Sequence, residues 1–283
     1  MANGHVNFIN FEKSISLTVA KKQKLISSRV ALQKKIVDYF RGVPGFTVPK
    51  FYIQGSYKME TMVVGKDGTY DVDLGVYFLQ KPLLTSSTVK RHLYNAVANH
   101  TYRGAENRDK CVRVIYAGDF DIDLPVYYKT MYNMHPFLAT KLTWTESDPK
   151  ELCDWFKRKR DRNGQLIRVI KYFKYWANIR DKKMPNGIAF TVWAANNFVA
   201  NSRDDVAFYE TAKAIRNSIY WSTTCRNPTT PNDDFLDKLS SIQKSNFKLS
   251  LDSLINDAAQ AIETRDGTIA YRLWRRQLGL KFL

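Results

Sequence analysis

Two aspartates at alternate positions, Asp71 and Asp73 in the run Tyr70-Asp71-Val72-Asp73-Leu74, carry the first chemistry legible in this chain. In a strand, residues i and i+2 share a face, so the two carboxylates stand side by side while Val72 and Leu74 turn toward a core. Carboxylates at that spacing repel until something neutralises them, and a divalent cation does so best. Upstream, the apolar run Phe51-Tyr52-Ile53 ends on Gly55-Ser56. Gly55 lets backbone amides approach a phosphate, and Ser56 offers its N–H and hydroxyl at a helix start. Alone, a Gly-Ser is usually a turn and an Asp-x-Asp usually a solvated strand face. In this order and proximity they are equipment for handling nucleoside triphosphates.

A third carboxylate is expected from the run Gly118-Asp119-Phe120-Asp121-Ile122-Asp123-Leu124-Pro125. Asp119, Asp121 and Asp123 share one strand face and Phe120, Ile122 and Leu124 the other. Three acids on one face are exposed or line a metal. If this strand lies beside the Asp71–Asp73 strand, the set suits two divalent ions about 3.5–4 Å apart. Asp123 is the first choice for the third ligand and Asp121 the alternative.

Several elements must position these groups. Glu12–Arg41 reads as one long basic helix, ended by Gly42-Val43-Pro44-Gly45. Thr85–Tyr102 reads as a helix capped by Ser86 or Ser87, and Cys111–Tyr116 with Asp119–Tyr128 as a hairpin. Asp148-Pro149-Lys150-Glu151 opens a helix with a capping-box pattern. Helices follow at about Pro149–Arg162, Gln165–Arg180, Gly187–Asn201, Asp204–Trp221, Asp234–Ser245, Leu249–Thr264 and Thr268–Leu278. Lys171 and Lys174 sit among core-type residues in Val169-Ile170-Lys171-Tyr172-Phe173-Lys174-Tyr175-Trp176, where lysines tend to line a cleft and a point charge suits phosphates. Tyr175 or Trp176 offers a stacking face for a base, with core packing the simpler role for Trp176. His92 and His100 read as ordinary surface or packing residues, and His135 as structural. The expected domains are 1–145, an α+β core with the N-terminal helix, and 146–283, a helical lobe packed against it with a cleft between.

The 283 residues are 44% hydrophobic and carry a formal net charge of +17, which points to an anionic partner such as nucleotides or nucleic acid. Cys111, Cys153 and Cys225 lie far apart, so neither a disulfide framework nor a Cys-x-x-Cys zinc site is expected. No signal peptide or apolar run of membrane length is evident, and a soluble, cytoplasmic protein is expected.

Gly55-Ser56, Asp71-x-Asp73, the Asp123-Leu124-Pro125 strand and the Lys171/Lys174 helix occur in the order found in DNA polymerase β-like nucleotidyltransferases. More narrowly, Gly55-Ser56-Tyr57-Lys58-Met59-Glu60-Thr61-Met62-Val63 and Tyr70-Asp71-Val72-Asp73-Leu74-Gly75-Val76-Tyr77 resemble the cGAS/DncV-like nucleotidyltransferases (CD-NTases) of bacterial CBASS anti-phage systems. The resemblance implies that Asp71, Asp73 and Asp123 bind two Mg²⁺, with Mn²⁺ as a substitute. Gly55 and Ser56 would hold a donor NTP, ATP or GTP, with Lys174 and nearby Lys171 on its β- and γ-phosphates. Relatives often place a serine near the donor nucleotide where this chain has Asn186-Gly187, which makes Asn186 the residue at that position. Metazoan relatives carry a zinc-binding insertion for DNA, and no Cys/His cluster like it is present. The implied activity is synthesis of a cyclic di- or trinucleotide with release of pyrophosphate, with CBASS regulatory or effector proteins as partners. Two other readings share the fold: a template-independent RNA or tRNA nucleotidyltransferase, which the positive charge favours through RNA contact, and a catalytically silent nucleotide or nucleic-acid sensor.

Overall fold

The structure is a computed structural model and describes residues 1–118 and 120–283. Asp119, expected on the acidic face, lies outside the described residues. The N-terminal stretch read as one helix is two. α1 (His5–Ile15) stops at Ser16, and Thr18 caps α2 (Val19–Arg41) by accepting the Lys21 amide. An N-cap threonine inside a periodic run divides it without disturbing the apolar spacing. β1 (Lys50–Gln54) runs straight into the single turn α3 (Gly55–Lys58), and β2 (Tyr70–Phe78) follows a loop. α4 (Ser86–Val97) is capped by Thr85, one residue earlier than expected.

The remaining strands are β3 (Ala105–Asn107), β4 (Val112–Tyr116), β5 (Phe120–Leu124), β6 (Val126–Tyr128), β7 (Phe137–Ala139) and β8 (Trp144–Glu146). The rest is helical: α5 (Pro149–Lys159), α6 (Gln165–Asn178), α7 (Gly187–Asn197), α8 (Asp204–Ser218), α9 (Ser241–Glu263) and α10 (Gly267–Leu278). The helices expected over Asp234–Ser245 and Leu249–Thr264 are the single α9, which starts at a Ser240–Gln243 capping box and carries buried Phe247 through the expected break. Asp234 is not helical; its carboxylate accepts the Cys225 and Leu236 amides.

The fold is α+β, a mixed sheet with helices and a helical C-terminal region. The sheet order is β3-β4-β5-β2-β6-β7-β8, with β1 pairing antiparallel to β2. β4 and β5 form the expected antiparallel hairpin. β5 and β6 are one strand interrupted at Pro125, which has no N–H to give the ladder. Their parallel register against β2 is continuous, Tyr70 facing Phe120 and Val76 facing Val126, and the Val76 amide still donates to the Pro125 carbonyl at 2.9 Å.

The chain forms two compact units, and no single cut separates them. One comprises Thr18–Met59 and Gly68–Cys153; the other comprises Met1–Leu17, Glu60–Asp67 and Asp154–Leu283. The sequence places the boundary at 145/146, with the whole N-terminus in the first domain. α1 instead belongs with the C-terminal helices, because Phe8 packs against Tyr172, Phe208, Trp274 and Phe282. The loop before β2 joins the same unit through hydrogen bonds from the Val64 amide to the Ile15 carbonyl and from Lys281 Nζ to the Gly65 carbonyl. No described helix is long and apolar enough to cross a membrane.

Candidate active site

β2 and β5 run parallel in a register that sets Asp71 beside Asp121 and Asp73 beside Asp123. Along both strands the apolar residues Val72, Leu74, Ile122 and Leu124 are buried, and the aspartates occupy the opposite, more open face. Four carboxylates therefore share one patch of sheet, including both candidates for the third position.

Arg113 lies among them. On β4 it faces Asp123 directly, donating from Nε to Oδ1 and from Nη2 to Oδ2, both at 2.7 Å. Nη1 donates to Asp121 Oδ2 at 3.0 Å, and Nη2 lies 3.1 Å from Asp71 Oδ2. Burial opposes the guanidinium charge, but Asp123, then Asp71 and Asp121, hold it above its ordinary pKa. Burial raises the Asp71 carboxyl above its ordinary 3.8; Arg113 pulls it down, while Asp123 and Asp121 push it up. Cys111, on the same hairpin, is pushed up to about 12 by burial and by Asp123, so its thiol is neutral at physiological pH.

Asp73 is held from the other side. Gly55 has φ +64°, a left-handed conformation, and a Cβ there would lie 2.0 Å from Asp73 Oδ2. The Gly55 position thus fixes both the turn into α3 and the resting place of one carboxylate. Beneath it, buried Gln54 faces Asp73 in register, donates to the Tyr127 hydroxyl at 3.1 Å and accepts from the Tyr77 hydroxyl at 3.3 Å. Tyr77 and Tyr127 stack with ring centroids 4.5 Å apart, giving this edge of the site a rigid base.

The donor set fits a hard divalent cation. It consists of carboxylate oxygens, and it already draws a positive charge, Arg113, into charge-assisted contacts with three of its members. Asp71, Asp73 and Asp123 are the residues that would hold such an ion, with Asp121 adjoining.

Lys171, Lys174 and Asn186 lie in the other unit, each with a local partner. Lys171 Nζ donates to Glu12 Oε1 at 2.5 Å and to Ser16 Oγ at 3.0 Å. Lys174 is buried and donates to Thr61 Oγ1 at 2.8 Å; Thr61 is on the loop preceding β2. Asn186 caps α7, accepting the Ala189 amide at 3.0 Å, and Gly187 beside it packs on the Lys174 stem. Trp176 is fully buried and Tyr175 nearly so. Arg113, Gln54 and Thr61 were not singled out from sequence, since each depends on pairing or packing that a single chain does not display.

Residues 49–127 match the family described as Cyclic GMP-AMP synthase DncV-like, nucleotidyltransferase domain. A Cyclic GMP-AMP synthase of Escherichia albertii is 29% identical over 241 residues, 77% of this chain. The chain spans 54% of the length of that relative. The crystal structure of Vibrio cholerae DncV, a cyclic AMP-GMP synthase described as a prokaryotic cGAS homolog, superposes with a TM-score of 0.86 at 18% identity, covering 99% of this chain and 97% of that one. The likeness in sequence is to a DncV-like nucleotidyltransferase domain over residues 49–127, and the fold over the whole chain is that of DncV. The Bradyrhizobium diazoefficiens CD-NTase CdnG, solved with GTP, shares the fold at a TM-score of 0.80 and 14% identity, over 96% of this chain and 94% of that one. The Vibrio enzyme has also been solved with the linear intermediate 5′ pppA(3′,5′)pG, at a TM-score of 0.84 and 18% identity, over 99% of this chain and 97% of that one. At these identities the solved structures speak for the fold of this chain.

Proposed function

We propose that this protein is a CD-NTase, a metal-dependent nucleotidyltransferase that joins NTPs, ATP or GTP, into a cyclic di- or trinucleotide. The observation that carries the reading is the parallel β2–β5 register, which brings Asp123 beside Asp73 and Asp71 on one open face. Asp71, Asp73 and Asp123 would hold Mg²⁺, or Mn²⁺ in its place, and the amides of Gly55 and Ser56 would meet the donor triphosphate. When bound, the cations supply acidification of the attacking hydroxyl and neutralisation of the departing charge. A ribose hydroxyl of one nucleotide attacks the α-phosphorus of another; the O–P bond forms as the bond to pyrophosphate breaks. Asp123 would accept the hydroxyl proton. Repeating the attack within the linear product closes the ring with loss of a further pyrophosphate. Lys174 would contact the β- and γ-phosphates after leaving Thr61, and Lys171 and Asn186 would be further substrate contacts. The product would act as a cytoplasmic second messenger in anti-phage signalling, with CBASS regulatory or effector proteins as partners.

Incubation with all four NTPs and Mg²⁺, followed by phosphatase and mass spectrometry, tests this reading. A phosphatase-resistant cyclic product, made without RNA and lost in Asp71→Asn/Asp73→Asn, is expected. The net charge of +17 favours one rival, nucleotide addition to RNA. Labelled RNA in a parallel reaction decides between them, because extension of RNA with no cyclic product would replace the synthase reading. Phage plating on cells carrying the active or Asn-substituted protein tests the defence role.

A further inference from the structure

Away from the aspartate cluster, the β7–β8 hairpin brings together three groups that the nucleotidyltransferase reading does not use. Its antiparallel register pairs Phe137 with Glu146 and Ala139 with Trp144. The pairing continues past the strand ends, since the Ser147 amide donates to the Pro136 carbonyl at 3.0 Å. One step further out, His135 stands opposite Asp148. Asp148 caps α5, accepting the Glu151 amide at Oδ1, 3.0 Å away, and the first helical turn returns Glu151 over the cap. His135 Nδ1 consequently lies 3.6 Å from Asp148 Oδ2 and 3.3 Å from Glu151 Oε2.

Those spacings match the edges of a tetrahedron around a metal ion. Bonds of about 2.0–2.2 Å to nitrogen and oxygen separate neighbouring ligand atoms by about 3.3–3.6 Å. His135 Nδ1 is buried and has no hydrogen-bond partner, which is unusual for an imidazole nitrogen this close to two carboxylates. Asp148 is 7% exposed with one oxygen committed to the helix cap, while the Glu151 side chain is 46% exposed and leaves a solvent side.

We propose that His135, Asp148 and Glu151 bind a zinc ion, with water as the fourth ligand. The imidazole nitrogen favours a borderline-soft ion over magnesium, which prefers oxygen in octahedral geometry. A proton on His135 neutralises one of the two carboxylate charges; zinc neutralises both. The ion joins the approach to β7 with the start of α5 and closes the hairpin between them.

The test uses the full chain, stripped with EDTA, exposed to micromolar ZnCl₂ and desalted. It compares the parent, Asp71→Asn/Asp73→Asn, and that double variant further carrying His135→Gln or Glu151→Gln. About one equivalent of zinc retained in Asp71→Asn/Asp73→Asn, with affinity reduced at least about tenfold by either added substitution, is expected. Co²⁺ in place of zinc should give the absorption of a tetrahedral ion, lost in the same variants. Glu151 is half-exposed, so Glu151→Gln tests the ligand without opening the core, and circular dichroism checks that the protein remains folded. No zinc retained in Asp71→Asn/Asp73→Asn, or retention there that neither substitution weakens, would overturn the proposal. So would a melting temperature that follows the charge of His135 with pH and ignores zinc. None of these outcomes bears on cyclic product formation, which is assayed separately in the parent.

Discussion

Arg113 and Asp123 face each other across the β4–β5 hairpin, with the guanidinium closed on both carboxylate oxygens at 2.7 Å. The same guanidinium reaches Asp71 and Asp121, so a permanent cation of the chain shares the carboxylates a divalent ion would use. Arg113 thus ties β4 to the acidic strands and would compete with a divalent ion for the carboxylate oxygens.

Those two roles separate in Arg113→Gln. Without added metal the variant should lose about 2–3 kcal/mol of stability, between the values for exposed and fully buried pairs. Its Mn²⁺ affinity should rise, since the competing charge is gone. Urea melts in EDTA and a Mn²⁺ titration read by electron paramagnetic resonance measure both. Weaker Mn²⁺ binding in a folded variant would show that Arg113 orients the ligands rather than competing for them.

Gly55→Ala should be far more damaging than its size suggests. The added methyl would lie 2.0 Å from Asp73 Oδ2, and φ +64° disfavours any side chain. Backbone strain of this kind costs about 1–3 kcal/mol, and displacement of Asp73 should lower kcat by about 10²-fold. Melting temperature and pyrophosphate release check the two effects. Near-parental kcat would mean that Asp73 does not need this resting place.

The Gly55-Ser56 and Asp71-x-Asp73 motif is legible because it obeys local rules. Asp71 and Asp73 share a face by strand alternation, Gly55-Ser56 ends an apolar run, and the same alternation sets Asp121 and Asp123 on one face of β5. What stayed hidden depends on distant pairing. Arg113 is one residue of an unremarkable strand until the hairpin register sets it against Asp123. α1 reads as part of a longer basic helix, yet Phe8 commits it to aromatic rings as far along the chain as Phe282. Lys171 reads as a phosphate contact, but its nearest charge, Glu12, is 159 positions away in sequence. Helix periodicity also does not announce an internal cap such as Thr18, whose effect is a single hydrogen bond.

Lys174 tests the proposed substrate side. Lys174→Met removes the charge and keeps most of the stem that packs on Gly187. If Lys174 meets the β- and γ-phosphates, KM for NTPs should rise about tenfold, the loss of one charge-assisted contact. Initial rates over a range of NTP concentrations separate KM from kcat. An unchanged KM with a lowered melting temperature would confine Lys174 to holding the 60–67 loop through Thr61.

The pH dependence of stability should be dominated in part by Asp204, at the start of α8. Its carboxylate is fully buried and accepts from Arg168 Nε at 2.6 Å, Arg168 Nη2 at 2.9 Å, Gln165 Nε2 at 2.9 Å and the Tyr172 hydroxyl at 2.8 Å. Burial alone would raise its pKa, but Arg168, then Gln165 and Tyr172, hold it below the ordinary 3.8. A carboxyl with a depressed folded-state pKa binds its proton more weakly when folded than when unfolded. Its stabilisation is therefore fully present above the unfolded value, near pH 4, and is lost as pH falls through the folded value. Asp204→Asn cannot ionise and leaves Arg168 without its buried partner, so it should cost about 3–5 kcal/mol at pH 7. Against the parent, this difference should shrink as the pH drops below about 4. Urea melts of both proteins between pH 7 and pH 3 check this, and a gap that stays constant across that range would remove Asp204 as the source.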